Sequence, residues 1–169
     1  EQFIEVKKKE GMSTEVSLYF RDLNAGPIFG IDETTSFAPA SLLKLPFALV
    51  FYKIAEENPK ILNEKLFYKG AFLDFQQTYN SYDTIKPNTE YTIEELLESM
   101  LKNSDNNAYV VLYKYLENTK QESLIRQTYL ELGILSPNDA YDEVISVRRY
   151  ASIFRALYNL SFVNAEYSE

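Results

Sequence analysis

Residues 41–56 read Ser-Leu-Leu-Lys-Leu-Pro-Phe-Ala-Leu-Val-Phe-Tyr-Lys-Ile-Ala-Glu, the most apolar helical pattern in the chain. A helix that is apolar on every side is buried, so Lys44 near its start is expected to be buried too. A buried ammonium is costly unless it is paired or partly neutral. Residues three apart share a helix face, which places Lys44 beside the Ser41 hydroxyl. The pair is either a nucleophile with its own base or a helix cap beside a snorkelling lysine.

The composition indicates one folded domain, or part of a larger one, and excludes several kinds of site. The 169 residues are 46% hydrophobic and 25% charged, enough for a sizeable core. The net charge of −8 argues against nucleic acid and anionic membrane surfaces as partners. Without cysteine or histidine, the chain has no disulfide and no Ser-His-Asp triad, and we expect no metal and no other cofactor. A general base must therefore be Lys, Asp, Glu or Tyr.

The N-terminal region predicts a helix followed by a β-hairpin. The helix runs from Glu1 to about Lys9, and alternating apolar residues over 15–21 are typical of a half-buried strand. Turn residues and a second strand over 27–31 complete the hairpin. The side chains expected to face inward are Phe3, Ile4, Val6, Val16, Leu18 and Phe20. Because a lone hairpin is marginal and no strand is predicted later, the sheet looks unfinished.

After Pro59 the chain is expected to stay helical. Thr92 and Glu95 form a capping box for a helix from Ile93 to about Lys102. Further helices are expected over 108–116, over 121–132 and from 147 onward. The last carries an apolar stripe of Val147, Tyr150, Ala151, Phe154, Leu157 and Tyr158. Within the 41–56 helix, Pro46 should remove one backbone hydrogen bond and bend the axis.

A second motif, Ser104-Asp105-Asn106, lies in a polar break between two apolar helices. Serine and asparagine two apart on a loop can point into one cleft, although the same residues are also the preferred helix caps.

Ser-x-x-Lys followed by Ser-Asp-Asn resembles the motif pair of class A β-lactamases and penicillin-binding proteins. The sequence around the two motifs also resembles that family, over residues 37–44, 87–97 and 104–108. The resemblance covers the first two thirds of that family's domain and implies an α/β (α+β) fold that is mostly helical in this chain. Residues 1–40 would be the N-terminal helix and hairpin, 41–160 the helical subdomain with both motifs, and 161–169 the return toward antiparallel strands absent here.

The resemblance also implies roles. Ser41 would be the acylated nucleophile, with its backbone N–H as half of an oxyanion hole. Lys44 would take the Ser41 proton directly or through a neighbour, Ser104 would relay a proton to the leaving nitrogen, and Asn106 would orient Lys44 and bind the substrate amide. Asp105 would support the loop. Either Tyr79 or Tyr82 would be the aromatic residue at the cleft edge.

The chain departs from the family pattern twice. The Lys-Thr-Gly motif is absent, so an open sheet edge predicts self-association or a complementing C-terminal chain. The segment from Gly133 to Ser146 is too short for the usual loop with a deacylating glutamate, and Glu143 is the nearest candidate for that base. Deacylation is therefore expected to be slow.

The sequence thus predicts a serine acyl hydrolase acting on β-lactams or D-Ala-D-Ala-type peptides. The alternative is a non-catalytic peptide- or cell-wall-binding module that keeps the fold. No apolar run approaches membrane-spanning length. No signal peptide is visible, but one could have been removed before Glu1, and the family implies a secreted or cell-envelope bacterial protein.

Overall fold

A computed structural model describes residues 2–24, 26–70, 84–136 and 144–168. The helices are α1 Gln2–Lys9, α2 Lys44–Glu57, α3 Ile93–Lys102, α4 Asn106–Asn118, α5 Ser123–Glu131, α6 Val147–Tyr158 and α7 Ala165–Ser168, with 3-10 turns at Ala40–Leu43 and Pro59–Asn63. The strands are β1 Leu18–Arg21, β2 Ile28–Ile31, β3 Ser36–Phe37, β4 Lys65–Tyr68, β5 Thr89–Thr92 and β6 Ile145–Ser146. The mostly helical α+β fold expected from the sequence is confirmed.

The core is built around α2, as its apolar sequence predicts. Phe47 and Phe51 are fully buried and their rings meet edge to face, with centroids 5.8 Å apart. Helices α3 and α5 pack on α2, and α4 packs against α3. Leu97 of α3 and Leu112 of α4 complete the same cluster. Helix α2, which begins at the lysine of the Ser-x-x-Lys motif, is therefore the central element of the helical layer.

The capping box at the start of α3 is confirmed. Thr92 Oγ1 accepts from the Glu95 amide at 3.1 Å, and Glu95 Oε2 accepts from the Thr92 amide at 2.7 Å. Each bond satisfies an amide that the first helical turn leaves without a partner. Ser146 caps α6 in a similar way by accepting from the Arg149 amide.

The strands form three antiparallel pairs, of which the sequence predicted one. The β1–β2 hairpin is present, with Leu18 opposite Ile31 and Phe20 opposite Phe29. The expectation of no strand after Pro59 is wrong, because β4 pairs with β5 and β3 pairs with β6. These strands have two or four residues, and their partners are distant in sequence. The alternation of apolar and polar residues is therefore too short to be recognised from the sequence.

The predicted inward face of the hairpin is also wrong. Leu18, Phe20 and Phe29 are 41–54% exposed, while Tyr19 is half-buried. The physical reason is that α6 packs against the Tyr19 face, so the opposite apolar face remains at the surface.

Two helices bury less of their apolar surface than predicted. In α1, Phe3 is 72% exposed, and no residue of this helix is buried. In α6, Phe154 and Tyr158 are about half exposed, and Ile153 is buried in their place. No helix within the described residues is both long and apolar enough to cross a membrane.

Truncating Leu97 to alanine is expected to lower the free energy of unfolding by about 2–5 kcal/mol, because this side chain is fully buried and leaves a cavity. The matched control is Leu101→Ala on the same helix, where the side chain is 39% exposed and the loss should stay near 0.5 kcal/mol. Urea unfolding followed by circular dichroism measures both. Equal losses would show that α3 does not face the core as described.

Candidate active site

Ser41 lies in a short 3-10 turn that precedes α2. The turn spans Ala40–Leu43, so the α-helix begins at Lys44, three residues later than the sequence predicted. Ala40 has a left-handed backbone (φ 46°), which is sparsely populated for a residue with a side chain. The Lys44 amide closes the turn on the Ser41 carbonyl. The Ser41 side chain is exposed at the protein surface.

The prediction that Pro46 removes a backbone hydrogen bond from within the helix is wrong. Because α2 begins at Lys44, Pro46 occupies the first turn, where an amide would have no intrahelical partner. The Leu42 carbonyl, four residues before Pro46, instead accepts from the Tyr150 hydroxyl of α6 at 3.0 Å. The Tyr129 hydroxyl of α5 donates to the next carbonyl, that of Leu43, at 3.3 Å. Two tyrosines therefore anchor the turn that carries Ser41, a role that no local sequence pattern indicates.

Lys44 is buried, as the sequence predicted, and its ammonium group is fully hydrogen-bonded. Only 8% of the residue is exposed. Its Nζ donates to the Ser104 carbonyl at 2.5 Å, to Ser104 Oγ at 3.0 Å and to Asn106 Oδ1 at 2.6 Å. An ammonium has three donors, so these acceptors offset much of its lost hydration. The structure thus brings together three of the four predicted catalytic residues.

Ser104 presents two oxygens to one ammonium because its backbone is left-handed. Its φ of 52° is uncommon outside glycine, asparagine and aspartate. Such strained conformations concentrate at functional sites, where the surrounding structure holds them in place. Here the two Lys44 bonds and the adjacent start of α4 supply that support.

Asp105 supports the loop, as expected, and does so from a fully buried position. Its Oδ1 caps α4 by accepting from the Asn107 and Ala108 amides at 2.8 and 3.3 Å. Its Oδ2 accepts from the Ile85 amide at 2.8 Å and the Ser99 hydroxyl at 3.0 Å. Four donors make a buried carboxylate tolerable and tie three segments of chain to the Ser-Asp-Asn motif.

The electrostatics of the site act on Lys44 in two directions. Burial lowers the pKa of Lys44 below its ordinary value of 10.5, and the negative charge of Asp105 partly opposes this by raising it. The lowered pKa increases the fraction of neutral amine near neutral pH, the form that accepts a proton.

The remaining predicted site residues are not all placed. The hydroxyl of Ser41 makes no hydrogen bond to any described side chain or backbone group, although its turn adjoins Lys44. Tyr79, Tyr82 and Glu143 lie outside the described residues. Across residues 2–24, 26–70, 84–136 and 144–168, no three acidic side chains come together as metal ligands.

The sequence profile of the Beta-lactamase enzyme family matches residues 2–169. No curated protein sequence matches significantly.

Solved structures show the same fold at low identity. PBP-A is 21% identical with a TM-score of 0.70, over 98% of this chain and 65% of that one. A variant of PBP-A was solved as an acyl-enzyme complex with penicillin G (19% identity, TM-score 0.67, covering 99% and 66%). A β-lactamase from Chitinophaga pinensis is 15% identical with a TM-score of 0.73, over 98% and 66%. The D-alanyl-D-alanine carboxypeptidase DacD from Francisella tularensis is 17% identical with a TM-score of 0.63, over 86% and 36%. The chain thus spans about two thirds or less of these proteins.

Replacing Lys44 by methionine is expected to change how stability depends on pH. Burial lowers the pKa of Lys44 in the folded protein below the ordinary value of 10.5. At pH values between the folded-state pKa and 10.5, the folded protein therefore binds fewer protons than the unfolded chain. The contribution of Lys44 to the free energy of unfolding therefore rises with pH in that interval. At lower pH, Lys44 is protonated in both states, and folding carries the full cost of burying its charge.

Urea unfolding from about pH 7 to about pH 10 should show the wild type gaining stability relative to Lys44→Met. Leu101→Ala, which removes no titratable group, should leave the wild-type slope unchanged. Parallel curves for wild type and Lys44→Met would contradict the pKa shift.

Tyr150→Phe tests the anchoring of the Ser41 turn. Loss of the hydroxyl leaves the Leu42 carbonyl without this donor, and we expect about 1 kcal/mol less stability. Amide hydrogen exchange in peptides covering residues 40–45 should accelerate. Tyr113→Phe, at a tyrosine that is 38% exposed, should change neither quantity. Unchanged exchange in Tyr150→Phe would show that the turn is held by other contacts.

Proposed function

The chain belongs to the beta-lactamase enzyme family, and on that premise we propose that it is a penicillin-recognising serine acyl hydrolase with Ser41 as its nucleophile. The proposed substrates are β-lactams or D-Ala-D-Ala-type peptides, since the similar structures include a penicillin acyl-enzyme and a D-alanyl-D-alanine carboxypeptidase. The observation that carries the proposal is the buried Lys44, held by Ser104 and Asn106 one turn from Ser41.

In the proposed acylation, Ser41 Oγ attacks the carbonyl carbon of the scissile amide while its proton passes to neutral Lys44, directly or through a neighbour. The new C–O bond forms a tetrahedral oxyanion, and the Ser41 amide is proposed to stabilise it. The C–N bond then breaks, and the leaving nitrogen needs one proton. Lys44 Nζ is 3.0 Å from Ser104 Oγ, so a proton held on Lys44 can pass through the Ser104 hydroxyl to that nitrogen.

Asn106 has a supporting role in this proposal. Its Oδ1 accepts from Lys44, which fixes the orientation of the side-chain amide. The Nδ2 of the same group then faces away from Lys44 and is proposed to bind the carbonyl of the substrate amide. A single side chain would thereby hold the base and the substrate in one geometry.

Deacylation is proposed to be slow. It requires a base to activate water, and both oxygens of Asp105 are already engaged by four donors deep in the protein. Asp105 is therefore unsuited to the task, and Glu143 remains the candidate from the sequence. Tyr79 and Tyr82 remain candidates for substrate contact.

Two further expectations stay proposals. Secretion or residence in a bacterial cell envelope rests on the family resemblance alone. Self-association, or pairing with a complementing chain, is supported by the exposed apolar face of the hairpin, formed by Leu18, Phe20 and Phe29.

The test is covalent labelling by penicillin G, followed by intact-protein mass spectrometry. We expect an adduct of one penicillin mass on the wild type and none on Ser41→Ala. Ser123→Ala, at an exposed serine that begins α5, is the matched control and should label normally. Lys44→Met should label about 10²–10⁴-fold more slowly because the base is lost.

A wild-type chain that forms no adduct, or an adduct that persists in Ser41→Ala, would overturn the acyl-enzyme proposal and favour a non-catalytic binding module. Rapid loss of the adduct that is unchanged in Glu143→Gln would contradict the proposed role of Glu143 and the slow deacylation.

A further inference from the structure

Arginines gather at one place in an otherwise acidic protein. The chain carries a net charge of −8, and four of its five arginines line two adjoining cavities beside α6. These four are Arg21, Arg148, Arg149 and Arg155. None of Ser41, Lys44, Ser104 and Asn106 lines either cavity, so the cluster is separate from the proposed acylation site.

The first cavity, of about 260 Å³, lies between the hairpin and α6. Strand β1 contributes Tyr19 and Arg21, and α6 contributes Arg148, Ser152 and Arg155. The three α6 residues are four and three positions apart, so they share one face of the helix. Guanidinium groups from two different elements therefore face one volume, which we call the arginine groove.

The second cavity, of about 640 Å³, continues from the first along the same helix face. It shares Arg148, Ser152 and Arg155 with the arginine groove. Part of its remaining wall comes from three residues with hydroxyl groups, Thr34, Ser36 and Ser146. A ligand that enters the arginine groove thus has further polar surface beside it.

The positive charge in the groove is only partly balanced. Glu33 contacts Arg148 at 3.6 Å, and Glu131 lines the second cavity. Among the residues that the structure describes, no carboxylate lies within ion-pairing distance of Arg21 or Arg155. Neighbouring like charges repel one another, and a bound anion would relieve that repulsion.

We propose that the arginine groove is a binding site for a ligand that carries phosphate groups. A planar guanidinium donates two parallel N–H bonds to phosphate oxygens, and three such forks around one volume suit a multiply charged anion. The Tyr19 hydroxyl adds a neutral donor. The volume exceeds that of one phosphate group, leaving room for a second or for the group that bears it.

The probe is inorganic pyrophosphate, titrated into the 169-residue chain at low ionic strength and followed by isothermal titration calorimetry. We expect saturable binding with one site per chain. The double variant with Arg21→Gln and Arg155→Gln should weaken binding about tenfold or more, because two charge-assisted contacts are lost. Arg126→Gln, which makes the same change on α5 outside both cavities, should change affinity less than about twofold.

Another variant and another anion test whether the groove recognises phosphate through its guanidinium groups. Arg155→Lys keeps the charge but removes the fork, and a several-fold loss is expected if recognition is bidentate. Absence of saturable binding by the wild type, equal affinity in the double variant, or equal loss in Arg126→Gln would each overturn the site. Citrate that binds as tightly as pyrophosphate would overturn the assignment to phosphate. All of these measurements are independent of acylation at Ser41.

Discussion

The burial of one lysine constrains most of the fold around the candidate site. Lys44 begins the central helix, and its ammonium would be prohibitively costly there without acceptors. Those acceptors come from Ser104 and Asn106, about sixty residues away in sequence. To place them, the chain must leave α3, turn sharply through a left-handed residue and start α4 at once. The α3–α4 pair and its short connection therefore supply the acceptors that allow Lys44 to be buried.

Asp105 carries this constraint further into the protein. It contacts the Ile85 amide, the Ser99 hydroxyl and the first amides of α4, so one carboxylate fixes the loop on three sides. It also raises the pKa of Lys44, which moderates the effect of burial. The same residue thus supports the geometry of the site and sets how much the amine is neutralised. A charge-neutral replacement at this position would disturb both properties.

The sequence predicted the parts of this arrangement that depend on local pattern. The apolar run after Ser41, the capping box at Thr92 and the polar break at 103–107 each reflect contacts within a few residues, and the structure contains the corresponding elements. The β4–β5 and β3–β6 pairs could not be found this way, because their strands are short and their partners distant. The inward face of the hairpin was assigned wrongly because alternation identifies two faces but does not say which one α6 covers. The tyrosine anchors on Leu42 and Leu43 are also long-range, and the polypeptide gives no local signal for them.

Helix α6 faces two neighbours at once. Through Tyr150 it holds the turn that carries Ser41, and through Arg148, Ser152 and Arg155 it forms one wall of the arginine groove. An anion that shifted this helix would therefore also shift the Ser41 turn. If an anion in the groove changes the affinity of the Ser41 site by some factor, thermodynamic reciprocity requires that a ligand at Ser41 change the affinity of the groove by the same factor. The fold thus gives two chemically unrelated surfaces a common support in α6, so a ligand that shifted this helix at one surface would alter the geometry of the other.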